Sequence, residues 1–272
     1  MKVKKLLSIT LLGILSFLLA GCGGQSVSEE KVIKVGVVGE ATEQWDPIIE
    51  TFEKEGIKIE LVHFLDYSQP NQALADGEID LNAFQHYAFL EQDIKDRGFE
   101  LTPIGETILT VLGVYSEKIE SLEELKEGAK IAIPGDATNS GRSLKLLEEA
   151  GVIKVDEAKG HAPTLNDITE NPKNVEFIEV ESAQTPRMLA DVDLALITAG
   201  YAVDSGLSPR EDALFLETSK PGVYNPFVNL IVARTEDKDN ELYNRIVEEY
   251  RTDKVAKVIE EVYKGAYVPV WE

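Results

Sequence analysis

Apolar positions along this chain follow two rhythms. Val32 to Val38 (VIKVGVV) is a compact β-branched run, the pattern of a buried strand. Beyond it Trp45, Ile48, Ile49 and Phe52 recur at i, i+3, i+4 and i+7, which predicts a helix capped by Thr42 and stopped by Gly56. Ile57 to Phe64 (IKIELVHF) alternates and predicts the next strand. A helix near Asn71 to Ala75, ended by Gly77, precedes a strand at Ile79 to Ala83, and Tyr87 to Arg97 is helical with Gly98 at its end. Strand, helix, strand, helix, strand is the order of parallel α/β units.

A short helix opens at the Ser-x-x-Glu capping box Ser121 to Glu124, and a second unit follows. Lys130 to Ile133 predicts a strand, Pro134-Gly135 a turn, and the next helix ends at Gly151. Val175 to Val180 is another strand, Pro186 suits the first position of a helix to Ala190, and Val192 to Ile197 is a strand again. Here the chain echoes itself: Leu74-Ala75-Asp76 before Ile79-Asp80-Leu81 matches Leu189-Ala190-Asp191 before Val192-Asp193-Leu194. The echo suggests two similar α/β lobes rather than one large sheet. Asn229 to Arg234 is a further strand, Glu241 to Lys264 is helical in period, and Ala266 to Trp271 is an extended apolar tail.

The start of the chain obeys neither rhythm. Lys2, Lys4 and Lys5 precede an apolar and small-residue run from Leu6 to Ala20, too short for the roughly 20 residues that span a bilayer. Leu19-Ala20-Gly21-Cys22 then looks like a bacterial lipobox, in which the cysteine is diacylated and becomes the mature N-terminus. The alternative is an ordinary signal peptide with a chance cysteine. Residues 1–21 are thus expected to be a lipoprotein signal peptide and 22–31, polar and rich in Gly and Ser, a flexible tether. Such a protein is exported and held by lipid on the extracytoplasmic face of the cell membrane.

Charge narrows the partners. The chain has 27 basic and 49 acidic residues, a net charge of −22, which excludes electrostatic capture of nucleic acid or anionic lipid. Cys22 is its one cysteine, so no disulfide framework exists and no thiol nucleophile remains. His63, His86 and His161 are not at metal-ligand spacing, and no cofactor motif is present. Gly135 to Ser143 (GDATNSGRS) is a poor phosphate loop, with five residues between the glycines and Arg142 in place of lysine.

In open α/β sheets, ligands bind beyond the carboxyl ends of strands. That rule selects Asn82, Phe84, Gln85, His86, Tyr87 and Phe89 after one strand. It selects Asp136, Thr138, Asn139, Ser140 and Arg142 after a second, and Thr198, Ala199, Gly200 and Tyr201 after a third. Aromatic rings, an imidazole, amides and one arginine suit a small ligand with a carboxylate and an apolar side chain. Arg142 lies in the first turn of a helix, where the macrodipole disfavours a cation and free N–H groups favour an anion. A carboxylate clamp explains it; so does a salt bridge to Asp136 or another acid. Phe84, Tyr87, Phe89 and Tyr67 suit either a binding site or a core.

At these segments the chain resembles the methionine-binding lipoproteins of ABC importers, from about Ile33 to the C-terminus. The marks are Asn82-Ala83-Phe84-Gln85-His86, Thr138-Asn139-Ser140-Gly141-Arg142, Asp167-Ile168 through Asn171-Pro172-Lys173, Ala183-Gln184-Thr185-Pro186-Arg187 and Asn225-Pro226-Phe227-Val228-Asn229. The resemblance implies an α/β, two-lobed periplasmic-binding-protein fold of type 2, with the ligand in a cleft between the lobes. Residues 32–112 and 230–272 would form one lobe and 113–229 the other. It further implies that Tyr67, Phe84, His86 and Phe89 surround or bond the ligand side chain, that Arg142 clamps its carboxylate, and that Asn225 fixes the head group; Asn139 and Tyr201 complete the expected site. The partners would be an ABC permease and its ATPase. Two departures stand out: Gly200 replaces an Asn that usually precedes Tyr201-Ala202, and Phe89 replaces a more usual Tyr. The first removes a polar contact and opens space, so a methionine-containing dipeptide, or an amino acid held through water, becomes an alternative ligand. An enzyme would need a nucleophile, metal set or general base that the chain lacks. A surface adhesin would explain the anchor and the charge but not the polar-aromatic set at strand ends.

Overall fold

The computed structural model describes residues 31–218 and 224–271. The expected signal peptide, Cys22 and most of the expected tether lie outside the described residues.

The first unit forms as its pattern predicts. β1 (Lys31–Val38) pairs in parallel with β2 (Ile57–Phe64) and β3 (Leu81–Asn82), with Val35 opposite Leu61 on one side and Leu81 on the other. α1 (Asp46–Glu53), α2 (Pro70–Ala75) and α3 (Tyr87–Arg97) connect and follow these strands, and Gly98 ends α3 at φ 73°, a conformation that glycine adopts without steric cost. β4 (Leu101–Thr110) belongs to this same sheet, and β5 (Leu112–Tyr115) begins another after the single residue Val111. The second sheet adds β6 (Lys130–Pro134), and α4 (Ala137–Glu149) packs over it. β7 (Lys154–Val155) and β8 (Ile168–Glu170) make a separate antiparallel ribbon. β9 (Glu176–Val180), β10 (Leu194–Thr198), α5 (Ala199–Asp204), α6 (Pro209–Asp212) and β11 (Phe215–Leu216) complete that half. β12 (Val228–Arg234) returns to the first sheet, followed by α7 (Glu241–Tyr250), α8 (Asp253–Tyr263) and β13 (Tyr267–Pro269).

The two sheets have orders β13-β4-β12-β3-β1-β2 and β11-β5-β10-β6-β9. Each places its first strand between its second and third parallel strands, then adds an antiparallel strand at a point where the chain crosses between sheets. The sequence echo has a physical basis in this duplication. Asp80 Oδ2 accepts from the Lys34 amide at 2.8 Å, and Asp193 Oδ2 accepts from the Lys130 amide at 2.8 Å. In each half the same aspartate also donates its own amide to the carbonyl of that lysine. One aspartate thus pairs, through side chain and backbone, with a lysine on the middle one of the three parallel strands in each sheet.

Each sheet buries its own core. Val35, Val37, Ile48 and Phe52 meet Ile246 and Ile259 from α7 and α8, whereas Ile131, Ile133, Leu194 and Leu196 meet Leu144 and Leu147 of α4. Trp45 packs edge-on against Tyr250, with ring centres 5.3 Å apart, and Tyr250 edge-on against Trp271 at 5.8 Å.

Several elements differ from the sequence pattern. Glu241 to Lys264 is two helices, because Thr252 adopts extended backbone and turns its hydroxyl onto the Glu249 carbonyl. Pro186 lies inside a 3₁₀ turn over Ser182–Met188 instead of opening a helix. Thr42 makes no side-chain cap, and its helix begins as a 3₁₀ turn over Glu43–Trp45; Leu122–Glu124 is likewise 3₁₀. β4 and β5 had no sequence signal. Pro103 and Gly105 punctuate β4 and sit at shifts in its register with β12. Gly105 is there to admit α7, since a Cβ would lie 2.3 Å from Val247 Cγ1. Among the described residues no helix is long and apolar enough to cross a membrane.

Candidate functional site

The site grows from two helix N-termini that face each other. Residues 82–86 turn from β3 into α3, and a buried amide cluster fixes that turn. Asn71 Nδ2 donates to Gln85 Oε1 at 2.8 Å, while Asn82 Nδ2 donates to Asn71 Oδ1 and Gln85 Nε2 to Asn82 Oδ1, each at 2.9 Å. His86 caps α3, its Nδ1 accepting from the Phe89 amide at 3.1 Å. Opposite, Asp136 caps α4, its Oδ1 accepting from the Asn139 amide at 2.9 Å. Both carboxylate oxygens of Asp136 also accept from Asn139 Nδ2 at 3.1 Å, which fixes the amide so that Asn139 Oδ1 faces His86. His86 Nε2 donates to that oxygen at 3.2 Å. With Nδ1 accepting and Nε2 donating, the ring is neutral; burial first and the Arg142 charge second lower its pKa to about 4.

Aromatic rings line the space beside this contact. Tyr67 lies 5.9 Å from Phe84, 5.9 Å from Phe89 and 5.1 Å from Tyr201, and Phe84 lies 5.7 Å from Phe89. Tyr67 OH shares a hydrogen bond with Thr198 Oγ1 at 3.1 Å, and Tyr201 OH donates to the Leu65 carbonyl at 3.4 Å. Burial raises the pKa of both phenols, so both stay protonated. Farther along, Asp204 accepts from the Glu40 amide at 3.2 Å and the Ala41 amide at 3.0 Å. The halves carrying the two sheets therefore touch through side chains on both walls of a closed cleft.

Arg142 stands at the end of this cleft, 2% exposed. It is the sixth residue of α4, in its second turn and not in the first turn that the sequence suggested, because the helix already opens at Ala137 after the Asp136 cap. Its Nε donates to Glu217 Oε1 at 2.9 Å, its Nη2 to Glu217 Oε2 and to the Thr110 carbonyl at 2.6 Å. The guanidinium lies 4.4 Å from the centre of the Phe227 ring. Of the two readings of this arginine, the salt bridge exists, with an acid 75 residues away that the sequence did not single out. It leaves Nη1 without a hydrogen-bond partner among the described residues, on a side chain that still borders the cavity.

That cavity has about 290 Å³ of empty space, counting space open to solvent, and shares lining residues with a second of about 550 Å³ measured in the same way. Tyr67, Phe84, His86, Phe89, Asn139 and Arg142 line the first, with Thr110, Thr198, Gln85 and Asn229. Tyr201 and Gly200 line the second. Asn225 lines neither; its Oδ1 accepts from the Phe227 amide at 2.9 Å, closing a turn. Asn229, four residues on, borders both cavities and donates to the Phe84 carbonyl at 3.4 Å. Thr110 and Glu217 carried no local sequence signal. Among the described residues no group of three or more His, Cys, Asp or Glu side chains is placed to hold a metal ion.

Two α/β lobes closed over a cavity of rings, amides and a guanidinium define a solute-binding protein. Comparison with known proteins makes this specific. The chain belongs to the NlpA lipoprotein family, whose model matches residues 33–271. It is 44% identical over 260 residues, 94% of each chain, to the D-methionine-binding lipoprotein MetQ of Salmonella typhimurium. Among solved structures it resembles a nutrient binding protein from Burkholderia cenocepacia bound to methionine, with 40% identity and a TM-score of 0.82 over 87% of this chain and 99% of that one. It also resembles the crystal structure of the methionine binding protein MetQ, with 43% identity and a TM-score of 0.83 over 89% of this chain and 98% of that one.

Proposed function

We propose that this protein is the lipid-anchored, extracytoplasmic receptor of an ABC importer, that it binds methionine in the interlobe cavity and passes it to the permease, and that it performs no chemical step on it. Cys22 would carry the lipid. The lobes would divide as residues 32–112 with 230–272 and residues 113–229. The observation that carries this reading is one cavity with Tyr67, Phe84 and Phe89 beside a buried guanidinium. Each ring–thioether contact is favourable by about 0.3–1.5 kcal/mol, so three rings favour methionine over an aliphatic side chain of like size. The neutral His86 lets an apolar chain lie against it without desolvating a charge. Arg142, through Nη1, receives the ligand carboxylate, and Asn139 and Tyr201 bound the remaining space. Asn225 acts as the residue that shapes the turn leading into Asn229, at the junction of the two cavities.

A methionine-containing dipeptide is the second reading, favoured by the larger cavity that continues past Gly200. A Cβ at Gly200 would meet Tyr267 Oη alone, at 3.4 Å, so the position is open.

One experiment tests both. The purified soluble chain is denatured, released small molecules are identified by mass spectrometry, and melting shifts are measured with L-methionine, D-methionine and glycyl-methionine. Ligand at 100 times its Kd should add about 2.7 kcal/mol of stability. Arg142→Ala should abolish the shift while the variant remains folded. A dipeptide that outbinds both methionine enantiomers would establish the second reading, and no shift with any of the three would sink both.

A further inference from the structure

Glu217 lies behind Arg142, outside the lining of the cleft cavity, yet it holds more of that guanidinium than any other group does. Its two carboxylate oxygens take Nε and one Nη2 proton, so the edge of Arg142 best suited to bidentate recognition is already filled. The same carboxylate accepts from the Leu112 amide at 3.2 Å, and the Glu217 amide donates to the Leu112 carbonyl at 2.9 Å. Arg142 in turn donates to the Thr110 carbonyl. The pair thus grips the backbone on both sides of Val111, where the chain leaves the first sheet for the second, and the guanidinium rests on Phe227, where the chain returns.

We propose that Glu217 is the positioning residue of the ligand site: it holds the Nε–Nη2 edge of Arg142 and leaves Nη1 as the nitrogen available to a ligand, and it fastens that arginine to the interlobe crossing. The inference rests on the reading that Arg142 receives a ligand carboxylate. A guanidinium that is 2% exposed needs a counter-charge whether or not ligand is present, and Glu217 supplies it. Without it Arg142 has one fixed bond, to Thr110, and is free to turn its fork elsewhere. The ligand carboxylate meets one guanidinium nitrogen whose direction is fixed by the interlobe crossing.

The test compares wild type with Glu217→Gln and Glu217→Ala by calorimetric titration with L-methionine and with L-methioninamide, which has the same side chain and ammonium but no carboxylate. Wild type should prefer methionine by at least ~10-fold, the scale of one hydrogen bond between charged groups. In both variants that preference should fall at least ~5-fold, through weaker methionine binding with methioninamide little changed. Gln is isosteric and retains one acceptor, so it keeps the comparison available where Ala does not fold. Equal losses for the two ligands, or an unchanged preference in a folded variant, would overturn the role of Glu217 alone. Wild type that binds neither ligand, or binds methioninamide as tightly as methionine, would overturn the Arg142 reading and this one with it.

Discussion

His86 is where burial and chemistry meet most directly. Its pKa is about 4 in the folded cleft against 6.5 for an ordinary histidine. Between those values the unfolded chain holds a proton that the folded chain lacks. The contribution to stability is therefore complete above about pH 6.5 and is lost as pH falls toward 4, at up to about 1.4 kcal/mol per pH unit. His86→Gln should remove this part of the acid sensitivity: urea denaturation at pH 7 and pH 4.5 should show a smaller loss in the variant than in wild type. Equal losses would mean that His86 takes up its proton within the fold. Much of this site was legible in the sequence because its members fall in short runs at strand ends: Phe84, His86 and Phe89 in one, Asn139 and Arg142 in another. Glu217 was not legible, since its pairing with Arg142 exists only once the chain has crossed between sheets and back. Asn225 and Asn229 occupy one short motif, and spacing alone does not say which of two nearby amides faces the cavity.

At the level of elements, the site depends on a turn that makes few hydrogen bonds of its own. Asn71 on α2 donates to and accepts from the 82–86 segment, and it also donates to Asp93 on α3 at 2.8 Å. Asn71→Ala would strand the buried amides of Asn82 and Gln85, each at a cost of about 1–3 kcal/mol. The variant should lose at least ~2 kcal/mol in chemical denaturation and bind ligand more weakly, although Asn71 does not line the cavity. A variant as stable as wild type would show that the turn holds itself. The parallel units were legible because β-branched runs and stop glycines mark them. β4 was hidden because a proline and a glycine, ordinarily breakers, sit at register shifts that absorb them. The α7–α8 break was hidden because helical period continues on both sides of Thr252 and carries no trace of the turn between them.

For the whole molecule, capture and location are separable functions. Closure is built from His86 with Asn139, Tyr67 with Thr198, Tyr201 with Leu65, and Asp204 with the Glu40 and Ala41 amides. None of these contacts involves the start of the chain. Cys22→Ser should therefore leave ligand affinity unchanged in titrations of purified protein while impairing methionine uptake by cells and releasing the protein from membranes. Retention of the variant on membranes would end the lipid-anchor reading. The halves also differ in a way that concerns light rather than binding. Both tryptophans, Trp45 and Trp271, flank Tyr250 beside the first sheet, and neither borders the cleft cavity. Indole emission from this chain is consequently a one-sided gauge, sensitive to the melting of one lobe and blind to the core of the other.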